Sequence, residues 1–160
     1  PHSHELREEV IMSKATFLVS LKSAIDKMAH TLAVSKGVVY VDLDDSTATP
    51  EVFRSENTAI VLEYNTLVED PSDPLYAGVF NIGVRAVNDP GNYGVLTLLG
   101  DVESLFPKGE RVEIFDSYEL VETARQGVLI PGDATVSPQQ YEMSSGIRMV
   151  TVEFKAIRDV

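Results

Sequence analysis

Cysteine and tryptophan are absent from this 160-residue chain, and bases are scarce: 13 Lys and Arg stand against 25 Asp and Glu, a formal net charge of −12. Lack of cysteine excludes a disulfide framework, a thiolate metal site and a cysteine nucleophile. Long apolar runs are missing too. No window approaches the eighteen consecutive apolar residues of a membrane-spanning helix, so no membrane partner is expected. Pro1-His2-Ser3-His4-Glu5 lacks the charged-then-apolar plan of a signal peptide, and cytosolic folding is the expectation. What the chain does have is 44% hydrophobic residues, enough for a packed core, and a length that suits one domain over 1–160.

The acidity is concentrated in two blocks. Residues 42–73 carry nine acids and one base, and residues 101–122 carry seven acids and two bases. The remaining stretches are close to neutral. Such a surface repels phosphate backbones, and no basic stripe is present to neutralise them, which argues against specific nucleic-acid binding.

Periodicity predicts the elements. Leu6, Val10, Phe17, Leu18, Leu21, Ile25, Met28, Ala29 and Leu32 recur at three- and four-residue steps, the pattern of one helical face. Ser3 is a candidate N-cap, Ser35-Lys36-Gly37 a stop, and Ser13 a point where the helix could divide in two. Strands follow at Val38–Val41 and Thr58–Tyr64, with Pro71, Asp73 and Pro74 marking a loop. In the third strand Phe80, Ile82, Val84 and Ala86 alternate with Asn81, Gly83 and Arg85. Asn88-Asp89-Pro90-Gly91 ends it and begins a second helix, whose face is Val95, Leu98, Leu99, Val102, Leu105 and Phe106. Strands are expected at Arg111–Phe115, around Tyr118–Leu120, and at the C-terminus, where Val150, Val152, Phe154 and Ala156 share a face. The order α-βββ-α-βββ with short connections predicts an α+β fold. Two helices pack on one face of a mainly antiparallel sheet, with an extended loop or hairpin arm near 117–146.

Catalytic patterns are incomplete. Val38-Val39-Tyr40-Val41-Asp42-Leu43-Asp44-Asp45-Ser46 resembles the first motif of haloacid dehalogenase phosphatases. There Asp42 would be the nucleophile, Asp44 the acid/base, and Mg²⁺ would offset their repulsion. The loop that follows runs into another strand instead of a crossover helix, and no late Asp pair follows a strand. Read as an EF-hand loop, the same segment puts Thr47 where glycine is needed and Phe53 where glutamate is needed. His2, His4 and His30 have no partner at ligand spacing, and no glycine-rich phosphate loop or Gly-x-Ser-x-Gly occurs. An acidic solvated turn is the simpler reading of 42–46. No enzyme activity, cofactor or metal is expected.

The least patterned segment carries Val128-Leu129-Ile130 beside the turn Pro131-Gly132. An apolar triplet on a loop needs a cover. Two covers are open: its own core, or a neighbouring subunit on which the segment docks as an arm. In the second case Val128, Leu129 and Ile130 are subunit-interface residues.

Taken whole, the plan resembles the tail terminator proteins of tailed bacteriophages and related minor tail and neck proteins. The likeness lies in His4-Glu5-Leu6-Arg7 opening the first helix, Val38-Val39-Tyr40 in the first strand, Phe106-Pro107-Lys108-Gly109 closing the second helix, and Arg148-Met149-Val150-Thr151-Val152-Glu153-Phe154 at the end. The resemblance implies a structural virion protein, assembled in the host cytoplasm as a six-fold ring. The ring terminates the tail tube and joins it to the neck through tail-tube and connector partners, and DNA passes through its lumen. It supplies no catalytic or cofactor residues. The length of 117–146 leaves a second neck connector or tail-tube-like role open, and the phosphatase using Asp42 and Asp44 is the remoter alternative.

Overall fold

The structure, a computed structural model, describes residues 2–42, 59–63, 68–72, 74–86, 88–116, 121–136 and 148–159. Side chains are described for 17–42, 74–86, 88–115, 125–136 and 148–159. Helix α1 (His2–Lys36) leads to strands β1 (Val39–Asp42), β2 (Ala59–Glu63), β3 (Val68–Ser72) and β4 (Leu75–Arg85). Helix α2 (Tyr93–Leu105) follows a 3-10 turn, and β5 (Val112–Asp116), β6 (Val121–Val136) and β7 (Arg148–Arg158) complete the chain. The strands form one sheet in the order β1-β2-β4-β7-β6-β5, and β3 pairs with β4. Every pairing is antiparallel except that of β1 with β2. The α+β architecture read from the sequence is the observed one.

Alternation in the two long central strands decides which face is covered. Tyr76, Phe80, Ile82 and Val84 of β4 and Val150, Val152, Phe154 and Ala156 of β7 are all buried. Their register aligns Phe80 with Val152 and Ile82 with Val150, so the apolar rows are continuous across the pair. Helix α1 lays Phe17, Leu21, Ile25, Ala29 and Ala33 on this face at a four-residue step. It is continuous through Ser13. Helix α2 contributes Val95, Leu98, Leu99 and Val102, with Phe106 at its C-cap. The Phe106 ring meets Phe80 edge-on at 4.9 Å, the geometry that aligns ring edge with ring face.

Helix α2 starts where its sequence says. Both carboxylate oxygens of Asp89 accept hydrogen bonds, from the Gly94 N–H at 2.8 Å and the Val95 N–H at 2.9 Å. These N–H groups have no partner inside the helix, and such a cap contributes about 1 kcal/mol. Asn88, Gly91 and Asn92 all adopt positive φ, which turns β4 into α2 within a few residues.

Two strands depart from the sequence expectation. Segment 68–72, read as loop because of Pro71, pairs with the first half of β4 in an irregular register. Residues 121–136, within the segment expected as an extended loop or hairpin arm, form the 16-residue strand β6, between β5 and β7. Residues 117–120, 137–147 and the expected strand at Tyr118–Leu120 lie outside the described residues, as does the acidic turn 43–46.

Candidate functional site

Asp42, the phosphatase candidate, ends β1 at one edge of the sheet. Its Oδ2 lies 2.8 Å from the Lys22 ammonium of α1, and both side chains are only about a quarter exposed. Two residues earlier, the Tyr40 hydroxyl donates to the Asp26 carboxylate, and the His30 ring packs against Tyr40 at 5.2 Å. These contacts fasten α1 along β1. Lys22, which the sequence places off the apolar stripe, is therefore a structural cation. Asp44, the proposed acid/base, lies outside the described residues, as do the side chains of His2 and His4. Among the described residues no group of three His, Cys, Asp or Glu is placed to hold a metal ion.

The triplet Val128-Leu129-Ile130 is divided between the two faces of the sheet. Leu129 is fully buried in the protomer core, paired with Val112 of β5 and Ala156 of β7. The subunit-interface expectation is corrected at this residue. With β5 on one side, β7 on the other and the helix layer beyond, Leu129 has its cover within its own chain. Val128 and Ile130 point the other way, opposite Ile157 and Lys155. Val128 is buried and Ile130 half-buried.

Residues that look like turn formers in this segment serve close packing instead. A Cβ on Gly127 would meet the Ile157 carbonyl and the Phe17 ring. Glycine lets α1 approach the sheet at this point. Pro131 sits past the last residue paired with β5, so its missing N–H breaks no ladder there. Its carbonyl accepts a 2.8 Å hydrogen bond from the Gly109 N–H, and the β6–β7 register shifts between Pro131 and Ala134. Beside this irregularity Lys108 pairs with Asp133 at 2.7 Å, and that hydrogen bond and charge raise the Lys108 pKa above its ordinary value.

The face of the sheet away from the helices is the less sealed one. Leu75 of β4 and Ile157 of β7 are paired in register and are 45% and 37% exposed. Beside them lies a shallow hollow of about 350 Å³, lined by Ala77, Val79, Ile130, Gly132, Glu153 and Lys155. Farther along, the Thr151 hydroxyl donates to the side-chain Oδ1 of Asn81 at 2.6 Å. Sequence reading missed this surface because its members are single residues from three strands distant in the chain. The available signal was the odd-numbered positions of β4 and β7, set against the even-numbered core.

No family model and no curated protein matches this chain. Among solved structures, a chain whose name says nothing of its role superposes with a TM-score of 0.52 at 9% identity. The match covers 89% of this chain and 96% of that one. At that identity the likeness shows the fold alone. It extends through nearly the whole of both chains.

Proposed function

We propose that this chain is a structural virion protein that forms a ring at the head-proximal end of a phage tail, terminating the tube and joining it to the neck. The observation that carries the reading is the asymmetry of the two-layer sandwich. Both helices lie on one face, while the other keeps exposed apolar residues in register, Leu75 with Ile157. A protomer of this kind has surface left over for a neighbour, and contacts between unlike patches close into rings. The element order and the segments Phe106–Gly109 and Arg148–Phe154 are those on which the resemblance to tail terminators rests. An acidic chain also suits a lumen through which DNA slides, since like charge repels the phosphates.

The phosphatase reading gains nothing from the geometry. Its nucleophile candidate Asp42 is held by Lys22 on an edge strand of a mainly antiparallel sheet. Negative-stain electron microscopy tests the ring. Closed rings with an open centre, which bind the end of a tail tube, are expected. Isolated protomers that ignore tail tubes would overturn the reading.

A further inference from the structure

We infer that the connection between β1 and β2, residues 43–58, crosses the open face of the sheet, away from the helices, and covers Val41 and Gly83 there. This crossing does not depend on the ring reading.

Val41 is the residue that needs an occupant over it. Tyr40 and Asp42 bond to Asp26 and Lys22 of α1, so the even positions of β1 face the helices and Val41 faces away. Strand β1 is an edge strand, and both helices pack on the opposite face. Val41 is nevertheless only 5% exposed. Its row continues across the sheet through Val61 to Gly83, which is buried too. At the other end of the same face Leu75 and Ile157 are exposed. One end of the open face is covered, and the other is not.

Connectivity and handedness name the cover. Strands β1 and β2 are parallel, with Val39 beside Ala59 and Asp42 beside Leu62, so the chain must return from the end of β1 to the level of its start. Residues 43–58 make that return, and their number exceeds the dozen or so, roughly, that a parallel crossover needs. Seen from the helix side with β7 running upward, an L-residue whose side chain points at the viewer turns its N–H to the right. Arg158 has the parity of Val150, Val152, Phe154 and Ala156, and its N–H donates to the Pro74 carbonyl at 2.9 Å. Strand β4 therefore lies to the right of β7. Strands β2 and then β1 follow farther right, and both run upward. That places β2 to the left of β1. Parallel crossovers are right-handed in about 98% of cases, and a right-handed step to the left passes behind the sheet, away from the helices. The space in front of β1 is taken by α1.

The residues of the connection suit this surface. Val52 and Phe53 form an apolar pair near its middle, and Gly83, with no side chain, leaves room over β4 for a ring. Asp44, Asp45, Glu51 and Glu56, against the single base Arg54, make the rest of the crossing acidic. What the open face offers a neighbouring copy is then its other end, around Leu75 and Ile157.

Because the chain has no native cysteine, Val41→Cys carries a single reporter thiol. Maleimide should label it slowly in the folded full chain. Adding Val52→Ser and Phe53→Ser should speed the labelling about tenfold or more, with circular dichroism unchanged. Labelling that the serines leave unchanged overturns the inference. Slow labelling that turns fast on dilution would assign the cover to a second copy and overturns it too. A nitroxide on Glu51→Cys reads the face with Val52 and Phe53 in place, and it decides alone if the serine variant does not fold. Paramagnetic broadening should be about tenfold or more stronger at the Val39 and Val41 methyls than at the Ala29 and Ala33 methyls, since a helix layer is about 10 Å thick. Equal or reversed broadening would put the crossing elsewhere and overturn the inference.

Discussion

The two faces of the sheet are made from the same strands yet have opposite fates. On the helix side, Phe80, Ile82, Val84, Val150, Val152 and Ala156 are all fully buried, and every one faces α1 or α2. On the other side, their immediate neighbours include Leu75, Glu153, Lys155 and Ile157, all exposed. The strand period of two lets one sequence write two surfaces at once, one packed against the helices and one left more open. Stability and assembly are then separable. Mutations at core-facing positions should act on folding, and mutations at open-face positions on association.

The largest effect is expected at Leu129, the residue that decides between core and arm. Leu129→Asp would put an unpaired carboxylate between β5, β7 and the helices. The cost should be at least about 4–5 kcal/mol, a large part of the stability of a domain this size. Loss of the cooperative unfolding transition by circular dichroism is expected, and a folded chain that only fails to assemble would return Leu129 to an interface. Leu99→Ala, under α2, should cost about 2–5 kcal/mol in denaturant unfolding. A loss below about half a kcal/mol would mean that α2 does not hold the sheet. Gly127→Ala should destabilise by about 1–3 kcal/mol, because the added methyl meets the Ile157 carbonyl and the Phe17 ring. On the open face the same method should show little. Leu75→Glu is expected to shift protomer stability by no more than about 0.5 kcal/mol, since the side chain is already 45% exposed. A larger loss there would erase the distinction between the faces.

The core was legible in the sequence, whereas the long strand β6 was not, and the reasons are physical. Helix faces are contiguous patterns, and Phe17, Leu21, Ile25, Leu98, Leu99 and Val102 declare themselves by spacing alone. Strand β4 was equally clear over Phe80–Val84, where alternation is uninterrupted. In β6 the alternation is broken by Gly127 and by Pro131-Gly132, residues that read as turn formers. The first admits a ring from α1, and the others sit at a register shift past the end of β5, constraints set by elements far away in the chain. Pro71 hid β3 in the same way, since a proline at an irregular, half-length pairing resembles a loop. Of the candidate site residues, the sequence marked 128–130 as an apolar triplet needing a cover, and Leu129 lies in the protomer core. The sequence had no means to tell which of the three faces the core, because that parity depends on pairing with β7.

The smallest effect concerns the link between the α2–β5 turn and β6. The Lys108–Asp133 pair raises the Lys108 pKa in the folded state. A raised lysine pKa contributes stability that is complete below the ordinary lysine value and is lost as pH rises through the folded value. Both side chains are largely exposed, so the contribution is screened and slight. Lys108→Met should leave the unfolding midpoint almost unchanged at neutral pH and remove a small decline at strongly alkaline pH, seen in paired pH titrations of thermal unfolding.

Native mass spectrometry of the wild-type chain tests the claim that one face is finished by a neighbour. The protomer mass is 17.6 kDa. A dominant closed species of about six copies is expected, dissociating to folded monomers on dilution, as for a ring built from unlike patches. A single protomer mass at every concentration would contradict it.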